Sequence, residues 1–308
     1  MLKIYQQTLS KPIIFKGIGL HSGKNSTIRI LPAEVDQGII FKRTDLKANN
    51  IIHANFKNVS SAKLCTTLEN EYGVQVSTVE HLIAAFYISG IDNALVEINN
   101  EEIPIMDGSA ADFINEIKKQ DLKELNKKRR YIKILKNIEL VEGEKKISID
   151  QGKHSLEVKF NLNFKNKIIG SQENTVDFQN NDLEDVIYSR TFCLYEDIEN
   201  IKKLGMAKGG SLENALVVDT DKVLNEDGLR NKNEFVNHKI LDLAGDFLLS
   251  GYRILGNVKC QHGGHELTNN FLRKLMNNKS AFKYFEVKEM VISENIKSIQ
   301  STKIAVNA

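Results

Sequence analysis

The chain has 308 residues, 41% hydrophobic and 27% charged, a soluble globular balance with length enough for two domains. A formal net charge of +2 gives no reason to expect nucleic acid as the main partner. Three scattered cysteines, Cys65, Cys193 and Cys260, argue against a disulfide framework or a cysteine-built zinc site and fit a reducing, cytoplasmic compartment.

Residues 1–7 lack the apolar core of a signal peptide, and no apolar run approaches the roughly 20 residues that span a bilayer. Any membrane contact is therefore expected to be peripheral. Short alternating segments follow at 28–30 and 39–42, then a helix over 77–88 and a strand over 94–98. Glu80 and His81 sit near the start of that helix. Adjacent helix residues point about 100° apart, so one can bind a metal while the other reaches its water. The apolar run Leu82, Ile83, Ala84 and Ala85 says the helix is buried, which lifts the pair above an ordinary solvated Glu-His. A second helix is expected over 110–119, with Ser109 as its N-cap.

Residues 118–130 are polar and highly charged and read as a solvated linker. Strands resume at 154–164, where Leu156, Val158, Phe160, Leu162 and Phe164 alternate onto one face. Arg190-Thr191-Phe192 and Lys208-Gly209-Gly210-Ser211 bracket a helix-like insert. The long helix around His238, in the stretch 234–246, places His238, Asp242 and Asp246 within roughly 80° of arc on one face. An imidazole and a carboxylate one turn apart can grip one ion, while Asp246 orients a neighbour. Phe235, Ile240, Leu241, Leu243, Ala244, Phe247 and Leu248 make this helix mostly apolar, so its charged groups need partners, either a metal or a buried salt bridge. Gly263-Gly264 presents His265 on a turn, where Asp246 would fix its tautomer and raise its pKa. A last helix is expected over 268–275. Strands, helix, strand, helix occur twice in order, which predicts two α+β layers facing each other.

Seven segments in register resemble one family, the UDP-3-O-acyl-N-acetylglucosamine deacetylases, zinc enzymes of lipid A biosynthesis. They are GIGLHSG at 17–23, STVEHL at 77–82, GIDN at 90–93 with PIMDGSA at 104–110, RTF at 190–192, VD at 218–219 with LNEDGLR at 224–230, HKILDLAGD at 238–246, and GH at 264–265. The resemblance implies two similar α+β domains, each a mainly antiparallel sheet, with helices packed between the two sheets in a β-α-α-β sandwich. The expected division is 1–126, a linker at 127–132, and 133–308 with an insert at about 191–217.

The resemblance further implies one zinc ion per chain, held at the domain seam by His81, His238 and Asp242. Its reaction would be hydrolysis of the N-acetyl group of UDP-3-O-(3-hydroxyacyl)-N-acetylglucosamine, releasing acetate at the committed step of the pathway. Glu80 would be the base. Thr191 and protonated His265 would stabilise the oxyanion, and Asp246 would keep His265 charged. Lys239 and His262 would face the diphosphate, and Phe192 and Phe164 the sugar or nucleotide. Leu20, Ile198, Gly210, Leu212 and Val217 would border an apolar passage for the acyl chain. His262 and Asn163 depart from the residues many relatives carry, and Tyr195, Lys202 and Asn214 make the passage more polar than expected. The partner would be a glycolipid precursor met by a cytoplasmic monomer, touching the inner-membrane surface at most peripherally. Two alternatives stay open: a zinc amidase for another acylated amino sugar, and a metal that merely clamps two domains. Iron(II) also suits a His-His-Asp set.

Overall fold

A computed structural model describes residues 2–152 and 154–287. The remainder of the expected second domain, 288–308, lies outside the described residues.

In the first half, Ile13–Ile18 and Asn25–Pro32 form an antiparallel hairpin. Ala94–Ile98 is the central strand, antiparallel to Asn25–Pro32 and parallel to Ile39–Arg43, and Ile51–His53 closes the far edge. Period-two alternation sets the inner face: Ile28 and Ile30 are fully buried, while Arg29 between them is exposed.

The second half repeats this order. Ile138–Glu142 and Lys145–Gln151 are the hairpin, and Arg253–Gln261 is the central strand. It runs antiparallel to Lys145–Gln151 and parallel to Leu156–Asn163, with Ser171–Asp177 at the edge. Arg130–Ile134 and Phe282–Glu286 extend this sheet beyond the shared pattern.

The helices are α1 (Glu80–Ser89), α2 (Ala111–Ile117), α3 (Glu184–Ile187), α4 (Ile198–Lys203), α5 (Glu234–Leu248) and α6 (His265–Asn277). In each half one long helix precedes the central strand and another helix follows it: α1 and α2, then α5 and α6. A single buried cluster joins the inner faces of both sheets through these helices, with Phe41, Val96, Phe86, Phe235, Leu241, Val158 and Val258 all 1% exposed or less. The architecture is the α+β sheet–helix–helix–sheet arrangement implied above.

Helices α1 and α5 meet backbone to backbone. A Cβ built on Gly245 would fall 2.3 Å from the Glu80 carbonyl oxygen and 3.1 Å from the Ala84 nitrogen. Helix α5 is buried at every position except Lys239. Such a helix lies between layers, and any charge on it must be matched.

Several sequence expectations need correction. Helix α1 begins at Glu80 and α6 at His265, three residues later and three earlier than the patterns suggested. The charged stretch 118–130 is no loose linker. Leu122–Lys128 is a strand paired antiparallel with Tyr5–Leu9, and Arg130 already opens the next strand. Five of its seven side chains are solvated, so composition reads as linker while the backbone is laddered. Within the basic run, Arg129 is 4% exposed and bonds to Asp92 at 2.6 Å, an internal ion pair instead of surface charge.

Candidate metal centre and active site

The first contributors sit on the opening turn of α1. Gln75–Val76 leads into that turn through Thr78, whose φ of 57° a β-branched residue seldom adopts. Its hydroxyl donates to buried Glu102 at 2.8 Å, which holds the bend and delivers Glu80 and His81 inward.

His81, His238 and Asp242 offer ligand atoms within 4.8 Å of one another, all from buried residues. Asp242 Oδ1 lies 3.5 Å from His81 Nε2 and 3.4 Å from His238 Nε2. The two imidazole rings stand 4.9 Å apart at 89°. His238 Nδ1 faces the Ser189 carbonyl at 3.1 Å; a carbonyl only accepts, so Nδ1 carries the proton and Nε2 presents its lone pair. Asp242 Oδ1 is buried without a hydrogen-bond partner. A tetrahedral ion with bonds of about 2.0–2.1 Å sets its ligands about 3.3 Å apart, so these two imidazole–carboxylate spacings fit one cation.

The protonation states agree. Burial pushes the His238 pKa down to about 3, so the ring is neutral. Burial opposes ionisation of Asp242, but His238, Lys239 and His265 outweigh it and hold the carboxyl well below the ordinary range. A neutral imidazole and a carboxylate are the ligating forms.

Beside this set lie Glu80, His265 and Asp246. Glu80 Oε1 is 3.6 Å from His265 Nε2, and Asp242 Oδ2 is 3.8 Å from the same nitrogen. His265 Nδ1 lies 2.9 Å from Asp246 Oδ2. Burial pushes the His265 pKa down, but the carboxylates of Asp246, Glu80 and Asp242 together raise it to about 9. Burial raises Glu80, with His265 and His81 pulling the other way. The site thus sets a carboxyl whose pKa burial raises beside an imidazole that its neighbouring carboxylates keep charged.

Next to it opens a cavity of about 360 Å³. Leu20, Thr191, Phe192, Ile198, Gly210, Leu212 and Val217 line it, with Tyr195 and Lys202 adding polarity. Parallel strands Phe192–Leu194 and Leu216–Val218 form the base of the insert that walls it. The Phe192 ring is 6.3 Å from that of His238 and 5.9 Å from that of Phe164, which links cavity and cation site. Asn214 is not a wall; its amide donates to Gly209 at 3.0 Å and its oxygen accepts from Ser211 at 2.9 Å, fixing the glycine turn. Lys239 packs over Phe192 at 5.6 Å, but its ammonium is engaged by Asp242 at 2.9 Å. His262 stands apart from the cavity lining, on the turn before α6, with its backbone N–H on Asn161.

The sequence reading missed four contributors. Thr66 bonds to Asp246 at 2.7 Å through its hydroxyl and to Glu80 at 3.0 Å through its N–H. Ser189 acts through a carbonyl, which leaves no side-chain signal. Glu102 accepts the N–H groups of His21 and Ser22 at 2.8 and 2.7 Å, pinning the loop whose His21 and Leu20 line the cavity. Only His21 had a signal, its place inside GIGLHSG.

Comparison with known proteins gives a consistent picture. The family model described as UDP-3-O-acyl N-acetylglycosamine deacetylase matches residues 6–277. The UDP-3-O-acyl-N-acetylglucosamine deacetylase of Geobacter sp. (strain M21) is 41% identical over 284 residues, 92% of each chain. The protein of the same name from Legionella pneumophila (strain Corby) is 42% identical, covering 91% of this chain and 93% of its own. The one from Glaesserella parasuis serovar 5 is 38% identical with the same coverage.

Proposed function

The chain belongs to the family of UDP-3-O-acyl-N-acetylglucosamine deacetylases, and on that footing we propose how its residues divide the work. The activity is hydrolysis of the N-acetyl amide of a UDP-3-O-acyl-N-acetylglucosamine to a free amine and acetate, a step of lipid A biosynthesis. His81, His238 and Asp242 hold one zinc ion per chain. The observation that carries this is the unpartnered Asp242 Oδ1 with two imidazole nitrogens at 3.4 and 3.5 Å. Zinc, when bound, supplies Lewis acidity that brings the pKa of water near neutrality.

Glu80 removes the proton from the attacking water, and burial, which raises its pKa, makes it the stronger base. His265, kept charged by Asp246, donates from Nε2 to the oxygen that gains charge when water adds to the amide carbon. The departing amine takes its proton either from His265 Nε2 or from Glu80, which has just gained one from the water. The Thr191 hydroxyl is the second donor to that oxygen. The cavity bounded by Leu20, Ile198, Gly210, Leu212 and Val217 takes the acyl chain, and Phe192 with Phe164 takes the sugar or nucleotide. Lys239 would face the diphosphate, its ammonium being held beside the site by Asp242 at 2.9 Å. His262, on the turn before α6, would face the diphosphate.

The domains proposed are 1–126 and 133–308, each giving one side of the site. No described helix is long and apolar enough to cross a membrane; a cytoplasmic monomer meeting its substrate at the membrane surface completes the reading. The test is direct: purified protein releases acetate from the UDP-sugar, a zinc chelator abolishes this, and added zinc restores it. Turnover indifferent to the chelator refutes the proposal.

A further inference from the structure

Thr66 is 2% exposed and lies between the two proton-handling groups, yet no motif of the sequence marks it. Its hydroxyl sits 2.7 Å from Asp246 Oδ1 and 3.3 Å from His265 Nδ1. Nδ1 gives its proton to Asp246 Oδ2 at 2.9 Å, so the hydroxyl proton goes to Oδ1. Two donors therefore converge on one carboxylate, one per oxygen, and Asp246 cannot rotate without breaking a bond. The Thr66 N–H donates to Glu80 Oε2 at 3.0 Å. That bond leaves Oε1 as the Glu80 oxygen facing His265 Nε2.

The residue itself is well anchored. It directly precedes the strand Thr67–Glu69, which pairs with Gln75–Val76, the segment that enters α1. Its carbonyl accepts the Val79 N–H at 3.4 Å. One residue of the first half thus fixes a carboxylate on α5 and, through it, an imidazole on α6.

We infer that Thr66 is a positioning residue of the reaction, its hydroxyl locking the Asp246–His265 pair at a set distance from the Glu80 carboxylate that its own backbone holds. The inference rests on the roles proposed above for Glu80 and His265. A buried threonine hydroxyl also needs an acceptor for stability alone, so the test must separate placement from folding.

Thr66→Val keeps the shape and the N–H and removes only the hydroxyl. Its kcat should fall about 10- to 100-fold, with KM within about twofold and zinc content unchanged, since a hydrogen bond to a charged group is lost away from the substrate. Thr66→Ser should recover kcat to within about threefold of the parent. In an Asp246→Ala background, Thr66→Val should cost less than about twofold further, because its target is gone. Parental kcat in Thr66→Val, a Thr66→Ser enzyme as slow as Thr66→Val at equal zinc, or independent multiplication of the two substitutions would each overturn the inference. If Thr66→Val does not fold, Thr66→Ala takes its place; if neither folds, the hydroxyl serves the fold and the inference falls. Absence of acetate release by the unsubstituted protein would instead sink the deacetylase roles themselves.

Discussion

Glu80 is a buried acid whose surroundings pull it both ways. Burial raises it, while His265 and His81 draw it back. Glu80→Gln removes the proposed base but none of the proposed ligands. Turnover should fall by about 10²- to 10⁴-fold with zinc retained, read by acetate release and metal analysis on one preparation. Loss of the metal in that variant would place Glu80 among the ligands. His265 is held at about 9 against the pull of burial, with Asp246 its largest support. A raised imidazole is charged below that value and loses its proton as pH climbs through it. The kcat/KM profile should therefore fall on the alkaline side near 9, and Asp246→Asn should move that limb to lower pH. An unmoved limb would assign it to another group. Both partners were legible: Asp246 by its eight-residue offset from His238, His265 by the glycines before it. Thr66 was not, because its hydroxyl meets a carboxylate 180 positions away and no spacing rule reaches that far.

At the scale of elements, the α1–α5 contact sets the site. His81 and Glu80 come from one helix, His238, Asp242 and Asp246 from the other, and only their close approach merges them. Gly245 permits it. A side chain there meets the Glu80 carbonyl oxygen at 2.3 Å, and backbone cannot swing aside as a flexible side-chain end can. Gly245→Ala should force the helices apart at Glu80, the proposed base. It should lower the melting temperature and cut kcat by more than about tenfold, although alanine is the better helix former. A variant with parental turnover would show that the contact has slack. Helix α5 was readable because apolar periodicity, burial and ligand spacing coincide over 15 residues. The ribbon of Tyr5–Leu9 with Leu122–Lys128 was not, since a two-stranded, largely solvated pair leaves a polar composition and its partner is over a hundred residues distant. The start of α6 was missed because its N-cap is Gly264, without a capping side chain.

For the whole molecule, two units of matching strand order face each other across their helices, and the proposed cation draws ligands from both. Such an ion binds the folded chain and not the unfolded one, so its removal should also lower stability by mass action. Thermal unfolding should begin at lower temperature in chelator and recover with zinc, while His81→Ala should melt alike in both. An equal chelator effect on that variant would put the metal elsewhere. Sequence order revealed the repeated layers, and the resemblance their likeness, but not the strand order, because each central strand enters late, between the two helices of its half. The most direct test of the account is a titration of zinc into metal-free protein while acetate release is followed. Activity should rise from near zero to its maximum at one zinc per chain, and full turnover in the stripped protein would contradict it.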